Sequence, residues 1–345
     1  MTAVGRVRLR RGYVTGTAAG FPADGALGVD GYLTAAATRM AVLAGVRQSF
    51  AKAEQLLAQL CGWELDDDTI RRATHRAARH ATATRSQRGD APRFAAAEGA
   101  IEVPVDAGKV NTTRGWRDVK VAVFAKRPAG EPATPEQWAQ RELPAPTVRA
   151  VVAAVEEVGA FAGRVRAEAD RLGVTTAADV TVLGDGAEWV WDLAGEVVPQ
   201  AGGVLDIYHA LEHVAAAAKA LWGEGTAQTA AQLEAGRAAL LSGGKAALEG
   251  WIGAACVAVA AETSTEPLLE LAAYFGKHPA RVGYAERLAC GRSIGSGLVE
   301  GSIKQLVNLR LKRTGARWRA EHVGPFVELT ALADSPEWLP YWMAV

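Results

Sequence analysis

The sequence predicts an α/β protein: a mixed β-sheet flanked by helices, with an all-α insertion late in the chain and an N-terminal helix-turn-helix region. Three observations carry that expectation. Residues 118–126 (DVKVAVFAK) alternate apolar and polar side chains, the period of a half-buried strand. Short apolar runs at 101–106 (IEVPVD), 179–183 (DVTVL) and 203–206 (GVLD) are interleaved with helical stretches. Residues 226–275 are Ala- and Leu-rich and read as almost wholly helical, an insertion with little chemistry of its own.

Composition bounds the answer. The chain has 345 residues, which at roughly 150 per domain means two domains or one with a large insertion. An apolar content of 49% is enough to bury a core and excludes global disorder. Lys+Arg and Asp+Glu both number 38, which excludes a uniformly basic coat protein and leaves room for a local basic stripe. Cys61, Cys256 and Cys290 are far apart and form no CxxC pair, so a reducing cytoplasm is expected. The longest apolar stretch, around residues 253–261, falls far short of the ~20 residues a bilayer span needs. The N-terminus has arginines but no apolar signal-peptide core, and no membrane association is expected.

Along the chain, residues 5–14 (GRVRLRRGYV) alternate Arg6, Arg8 and Arg10 with Val7 and Leu9, the pattern of a strand with one basic face. Residues 34–46 form an Ala-rich helix. Residues 49–61 form a second, with Phe50, Ala53, Leu56, Leu57 and Leu60 at helical spacing and Gly62 as its stop. Asp66 to Asp68 can cap a third helix bearing Arg71, Arg72, Arg76 and Arg79. Helix, short turn and basic helix is a helix-turn-helix outline, with a merely solvated basic face as the alternative. Residues 85–93 read as a linker, 128–146 as a Pro- and charge-rich loop, and 148–172 as a long amphipathic helix. The expected units are residues 1–92, the N-terminal DNA-binding region; 93–222, the first part of a catalytic core; 223–285, the insertion; and 286–345, the rest of the core.

Carboxylates at strand ends are the first candidates for chemistry. Asp106 closes the first strand of the α/β region, and Asp185 follows DVTVLG between two glycines that leave it open to a ligand. Glu300 falls in the first turn of a helix that opens after a Gly-rich approach. Three carboxylates from separate segments can hold two Mg²⁺ ions, or Mn²⁺, and so serve phosphodiester chemistry. Caps and salt bridges are the competing explanation, and Glu300 with Lys304 has the i,i+4 spacing of an ordinary helical pair. His209-Ala-Leu-Glu212-His213 is a literal H-x-x-E-H, so a zinc peptidase site, a phosphate-facing His209 and an unremarkable helix all stay open. Residues 291–301 lack the GK[ST] of a P-loop, yet their glycines, Gly295 and Gly297 among them, can let backbone approach a phosphate. Lys304, Arg310, Lys312, Arg313, Arg317 and Arg319 lie in a segment with no acid, a basic stripe directly after Glu300.

Taken in order, VDAGKVNTTRGWRDVKV, LGDGAEWVW, LDIYHALEH, IGSGLVEGSIKQLVNLRLKRTGARW and a terminal EWLPYWM resemble the ISKra family of insertion-sequence DDE transposases. GFPADGALG and SFAKAEQLLAQLCG are similar as well. The resemblance implies an RNase H-like core with its acidic triad at Asp106, Asp185 and Glu300, and an aspartate–histidine pair at Asp206 and His209. It implies two Mg²⁺ ions, double-stranded DNA at element ends and target, a homo-oligomer on that DNA, and a nucleoid-associated place in the cytoplasm. Lys304, Arg310, Lys312, Arg313, Arg317, Arg72 and Arg76 are then the expected DNA contacts. Trp189, Gly295 and Gly297 are expected to support the site. The family usually carries Cys-x-x-Cys where this chain has Thr15 and Ala18, so no zinc ribbon is expected. A catalytically silent DNA-binding derivative is the alternative within the same family.

Overall fold

The computed structural model describes the chain except residues 9, 11, 17–18, 31–32, 260–262 and 345. Its centre is a five-stranded mixed sheet made of β3 (Ala100–Thr112), β4 (Gly115–Arg127), β5 (Val148–Ala154), β6 (Val180–Gly184) and β7 (Gly202–Leu205). The strand order is β5-β4-β3-β6-β7. β3, β4 and β5 are antiparallel neighbours, and β6 and β7 run parallel to β3. A mixed sheet of this order, flanked by helices, is consistent with an RNase H-like fold. A separate two-stranded hairpin, β1 (Val29–Asp30) with β2 (Leu33–Thr34), follows the short helix α1 (Pro22–Leu27).

Both faces of the sheet are covered. One carries Val103, Val105, Ala122 and Phe124 against α6 (Val158–Arg171), α7 (Glu188–Val197) and α8 (Ile207–Trp222), with α9 (Ala227–Ala258), α10 (Glu266–Gly276) and α11 (Tyr284–Ala289) extending that core. The other carries Val110, Val119, Val121 and Val123 against the C-terminal helices. These are α12 (Gly297–Ser302), a π-helical turn over Ile303–Asn308, α13 (Leu309–Leu311), α14 (Ala320–Ala333) and α15 (Trp338–Ala344). The alternation along residues 118–126 thus divides β4 between two cores. α14 lies so close to β5 that a methyl group at Gly324 would strike the Ala153 carbonyl.

The N-terminal helices α2 (Ala35–Arg47), α3 (Phe50–Cys61) and α4 (Asp67–Ala83) enclose a third core around Trp63, Leu65 and Ile70. Ser49 and Asp66 cap α3 and α4, and Gly62, at φ +62°, ends α3 as expected from sequence. A short helix, α5 (Asp90–Ala96), occupies the end of the expected linker. No helix among the described residues is long and apolar enough to cross a membrane.

Two sequence expectations fail here. Residues 148–172 are not one helix: Val148–Ala154 is strand β5, paired with β4, and the helix begins only at Val158. A short run with Val148, Val151 and Val152 suits either element, and an open edge on β4 decides it. Residues 5–14 do not form a strand among the described residues; only isolated bridges form there, Gly5 to Thr2 and Val14 to Gly20. Arg6, Val7, Arg8 and Arg10 are all exposed, so among the described residues the alternation sets no buried face against a sheet. Leu9 and Arg11 of that segment, and Ala18 of the expected ribbon position, lie outside the described residues.

Candidate functional site

The sheet register builds the acidic end. β3 pairs with β6 from Ile101↔Val180 to Pro104↔Leu183, and β6 pairs with β7 up to Gly184↔Leu205. Carried forward, the same register sets Asp106, Asp185 and Asp206 in one row across three parallel strands. Asp106 does not close its strand as the sequence suggested, because β3 runs on to Thr112 as one arm of the hairpin with β4. It does lie just beyond the carboxyl end of β6, where the parallel part of a sheet opens. The helical segment that carries Glu300 packs across β3, with Ile303 and Val307 against the Gly108 backbone.

Electrostatics tie these acids together. Burial pushes the Asp106 carboxyl up to about 6; the nearby charges of Asp185 and Glu300 add to the rise, while the Ala107 N–H and His209 oppose it. The Ala107 N–H donates to Asp106 Oδ1 at 2.6 Å. Asp185 Oδ1 accepts from the Ala187 N–H at 3.1 Å, which shapes the turn after β6. The Tyr274 hydroxyl donates to the Asp185 carbonyl at 3.1 Å. Gly186, at φ +91°, leaves that hydroxyl room, because a side chain there would lie 2.6 Å from it.

Asp206 is fully buried and caps α8. Its Oδ1 accepts from the His209 N–H at 2.8 Å, and its Oδ2 accepts from both the Ser296 N–H and, at 2.9 Å, the Ser296 hydroxyl. Ser296 also reaches Glu300 Oε1 at 3.1 Å. Asp206, His209 and Glu300 each offer a ligand atom within 4.8 Å of the others, so this group could hold a metal ion. Three donors already occupy most of Asp206's acceptor capacity, which favours a role in fixing the Gly295–Ser296 turn and the start of α8. Gly295 belongs to that turn, since a methyl group there would lie 3.2 Å from the Asp206 carboxylate.

His213 does not join a zinc set with His209. Its ring stacks on Tyr274 at 3.8 Å, while His209 Nδ1 lies 3.3 Å from Glu212. Trp189 is not at the site: it packs by Phe161 at 6.4 Å with the Lys120 ammonium over its ring. Gly297 opens α12 with open space around it.

The basic stripe divides. Lys304, Lys312, Arg317 and Arg319 are exposed. Arg310 is not a surface contact: it is 5% exposed, boxed by Phe50, Trp318 and Phe326 at 4.8–5.1 Å, and donates to the Gly45 carbonyl at 3.1 Å. Burial, with Arg313 nearby, pushes its guanidinium down to about 10. Arg313 is half-buried and bonds Gln48 at 3.2 Å, so it ties this segment to α2. Arg72 and Arg76 are on the exposed face of α4, where Arg72 pairs with Asp68 at 3.1 Å. The helical segment stops at Leu311, before Lys312, Arg313, Arg317 and Arg319.

Sequence reasoning missed Ser296 and Tyr274. Ser296 was visible only as part of a Gly-rich run, and Tyr274 sits in a stretch read as chemically silent. A comparison with protein-family models gives no match, and a comparison with curated proteins gives none either.

Proposed function

We propose that this chain is a DDE transposase that cuts a DNA strand at the end of an insertion sequence and joins the freed 3′ end to target DNA. The observation that carries the reading is the row of Asp106 and Asp185 on adjacent parallel strands, with Glu300 close enough to raise the Asp106 carboxyl. The family resemblance of the surrounding motifs supports it. The donor set fits hard divalent cations: three carboxylates from separate segments, to none of which a lysine or arginine ion-pairs among the described residues. Asp106, Asp185 and Glu300 would hold two Mg²⁺, or Mn²⁺, which when bound activate water and neutralise charge on the phosphate. Asp206 and Ser296 hold the turn that presents Glu300, and His209 faces the same space as a group for the scissile phosphate. On this reading the core is RNase H-like, α9 and α10 form its insertion, and α3–α4 act as the helix-turn-helix. Lys304, Lys312 and Arg317 then contact DNA phosphates, Arg72 and Arg76 contribute end recognition, and the assembly on DNA is a homo-oligomer in the nucleoid.

The test is a nicking assay on DNA with and without Mg²⁺, paired with a binding assay. Asp185→Asn is expected to lose cleavage by about a thousandfold or more while still binding DNA. A variant that cuts like wild type overturns the reading. Salt-sensitive binding with no metal-dependent nicking by the wild type would favour the silent derivative.

A further inference from the structure

A second site lies at the opposite end of the same strands. A crevice of about 390 Å³ opens between the start of β3, the end of β4, the start of β6 and the segment after α11. Its wall at Ile101 is five residues from Asp106, roughly 16 Å along the strand, so it is separate from the acidic row.

The charges there do not balance. Arg292 and Asp179 form a two-bond pair at 2.7 Å and neutralise each other. Glu102 is the remaining carboxylate, and it already takes Arg127 at 3.0 Å and the Ser293 hydroxyl. Arg287 bonds the Ser293 carbonyl at 2.7 Å and, at 3.4 Å, the Thr181 hydroxyl, neither of them an anion. Arg141 lies within the same field and has a buried Nη1 with no partner. The residues that line the crevice carry four cations (Lys126, Arg127, Arg287, Arg292) against two carboxylates (Glu102, Asp179), a surplus of 4 − 2 = 2 positive charges, with Arg141 beside them. Burial pushes Arg287 down to about 10, with Arg292 and Arg141 acting in the same direction and the charges of Glu102 and Asp179 opposing it. Guanidinium groups nonetheless stay charged in proteins, so the imbalance is met by an external anion.

We propose that this crevice binds a phosphate group, with Arg287 as its main donor. Arg287 offers the forked geometry that suits a phosphate, in a crevice of the size that takes small ligands. The phosphate can come from a nucleic-acid backbone or from a small phosphorylated molecule, and the inference does not depend on the reading of the acidic site.

The test is calorimetric titration of the full chain with inorganic phosphate at fixed ionic strength, alongside binding of a short DNA duplex across a salt series. Wild type is expected to bind phosphate, and Arg287→Gln to weaken it by about tenfold or more. Ala129→Glu, at an exposed part of the wall, places a carboxylate in the crevice and is expected to abolish binding without disturbing the core. Asp185→Asn is expected to leave phosphate binding unchanged even if the nicking test fails. A duplex salt slope flattened by about 0.9 in Arg287→Gln assigns the phosphate to DNA. An unchanged slope with lost phosphate binding assigns it to a small molecule. Wild type, Arg287→Gln and Ala129→Glu that agree in both titrations overturn the proposal.

Discussion

Behind β5, Arg85 and Arg171 bracket Glu168 at 2.9 and 2.8 Å, with Glu328 and Asp90 as further partners. Just beyond the carboxyl end of β6, Asp106 in mid-β3 and Asp185 lie near Glu300 with no such partner among the described residues. Both clusters draw on remote parts of the chain; the first is buried, whereas in the second Asp106 and Asp185 are partly buried and Glu300 is exposed. Burial alone would raise the Glu168 carboxyl, but hydrogen bonds from Arg171 and the charge of Arg85 outweigh it and hold Glu168 down to about 2. Burial raises the Asp106 carboxyl to about 6, and neighbouring acids raise it further. The first cluster is complete in the protein alone. The second is incomplete, and its deficit is a positive charge. A buried charge group that the chain neutralises itself holds the fold together; one that it leaves unneutralised is shaped for a ligand.

The largest expected effect comes from breaking the complete cluster. Glu168→Gln leaves Arg85 and Arg171 buried with too little counter-charge and is expected to cost about 3–5 kcal/mol. Urea unfolding at pH 7 measures it, and a loss under about 1 kcal/mol would show that the arginines find water or other partners. The folded-state carboxyl is depressed. Its contribution is therefore present above pH 4.5 and is lost as the pH falls through about 2.

The same contrast explains what could be read from the sequence. Asp106, Asp185 and Glu300 stood out because strand ends and a Gly-rich helix start are local patterns, and the α/β class follows from short apolar runs with helices between them. Strand β5 was misread because Val148, Val151 and Val152 carry no periodicity that separates strand from helix. Arg310 was misread because its aromatic box combines Phe50 of α3 with Trp318 and Phe326 from the C-terminal region, a juxtaposition made only by tertiary packing. Arg85 and Glu168 are 83 positions apart, and nothing near either one announces the pair. Tyr274 reaches Asp185 from a helix whose own sequence reads only as packing.

A smaller effect tests the incomplete cluster. The folded-state carboxyl of Asp106 is raised from 3.8 to about 6, so the fold favours its protonated form. The stability that follows is fully present below about 3.8 and is lost as pH rises through about 6. Asp106→Asn mimics the protonated form and keeps that stability. At pH 8 without divalent metal the variant is expected to exceed wild type by on the order of 1–2 kcal/mol, discounted for partial exposure. Mg²⁺ should then raise the melting temperature of wild type and leave the variant unmoved. A variant less stable than wild type at pH 8 would mean that Asp106 is held by a partner rather than waiting for one.

The smallest effect concerns a third way of treating a buried ionisable group, by keeping it neutral. His75 on α4 lies among the rings of Phe50, Trp318 and Phe326 at 5.9–6.2 Å and stacks near His322 at 4.5 Å. Burial pushes its imidazole down from 6.5 to about 4, and His322, Arg71, Arg79 and Arg310 all act in the same direction. A base with a depressed folded-state pKa adds stability above its unfolded value, and that stability is lost as pH falls from 6.5 toward 4. The imidazole Nδ1 is buried without a partner, so the ring can be replaced without stranding a hydrogen bond there. His75→Phe is therefore expected to unfold close to wild type at pH 7 and to be more stable by about 1 kcal/mol at pH 5. Urea melts at the two values measure it. If wild type and variant lose stability in parallel from pH 7 to pH 5, His75 takes up its proton as readily in the fold as in the unfolded chain, and the cluster of α4 and α14 offsets the cost of its burial.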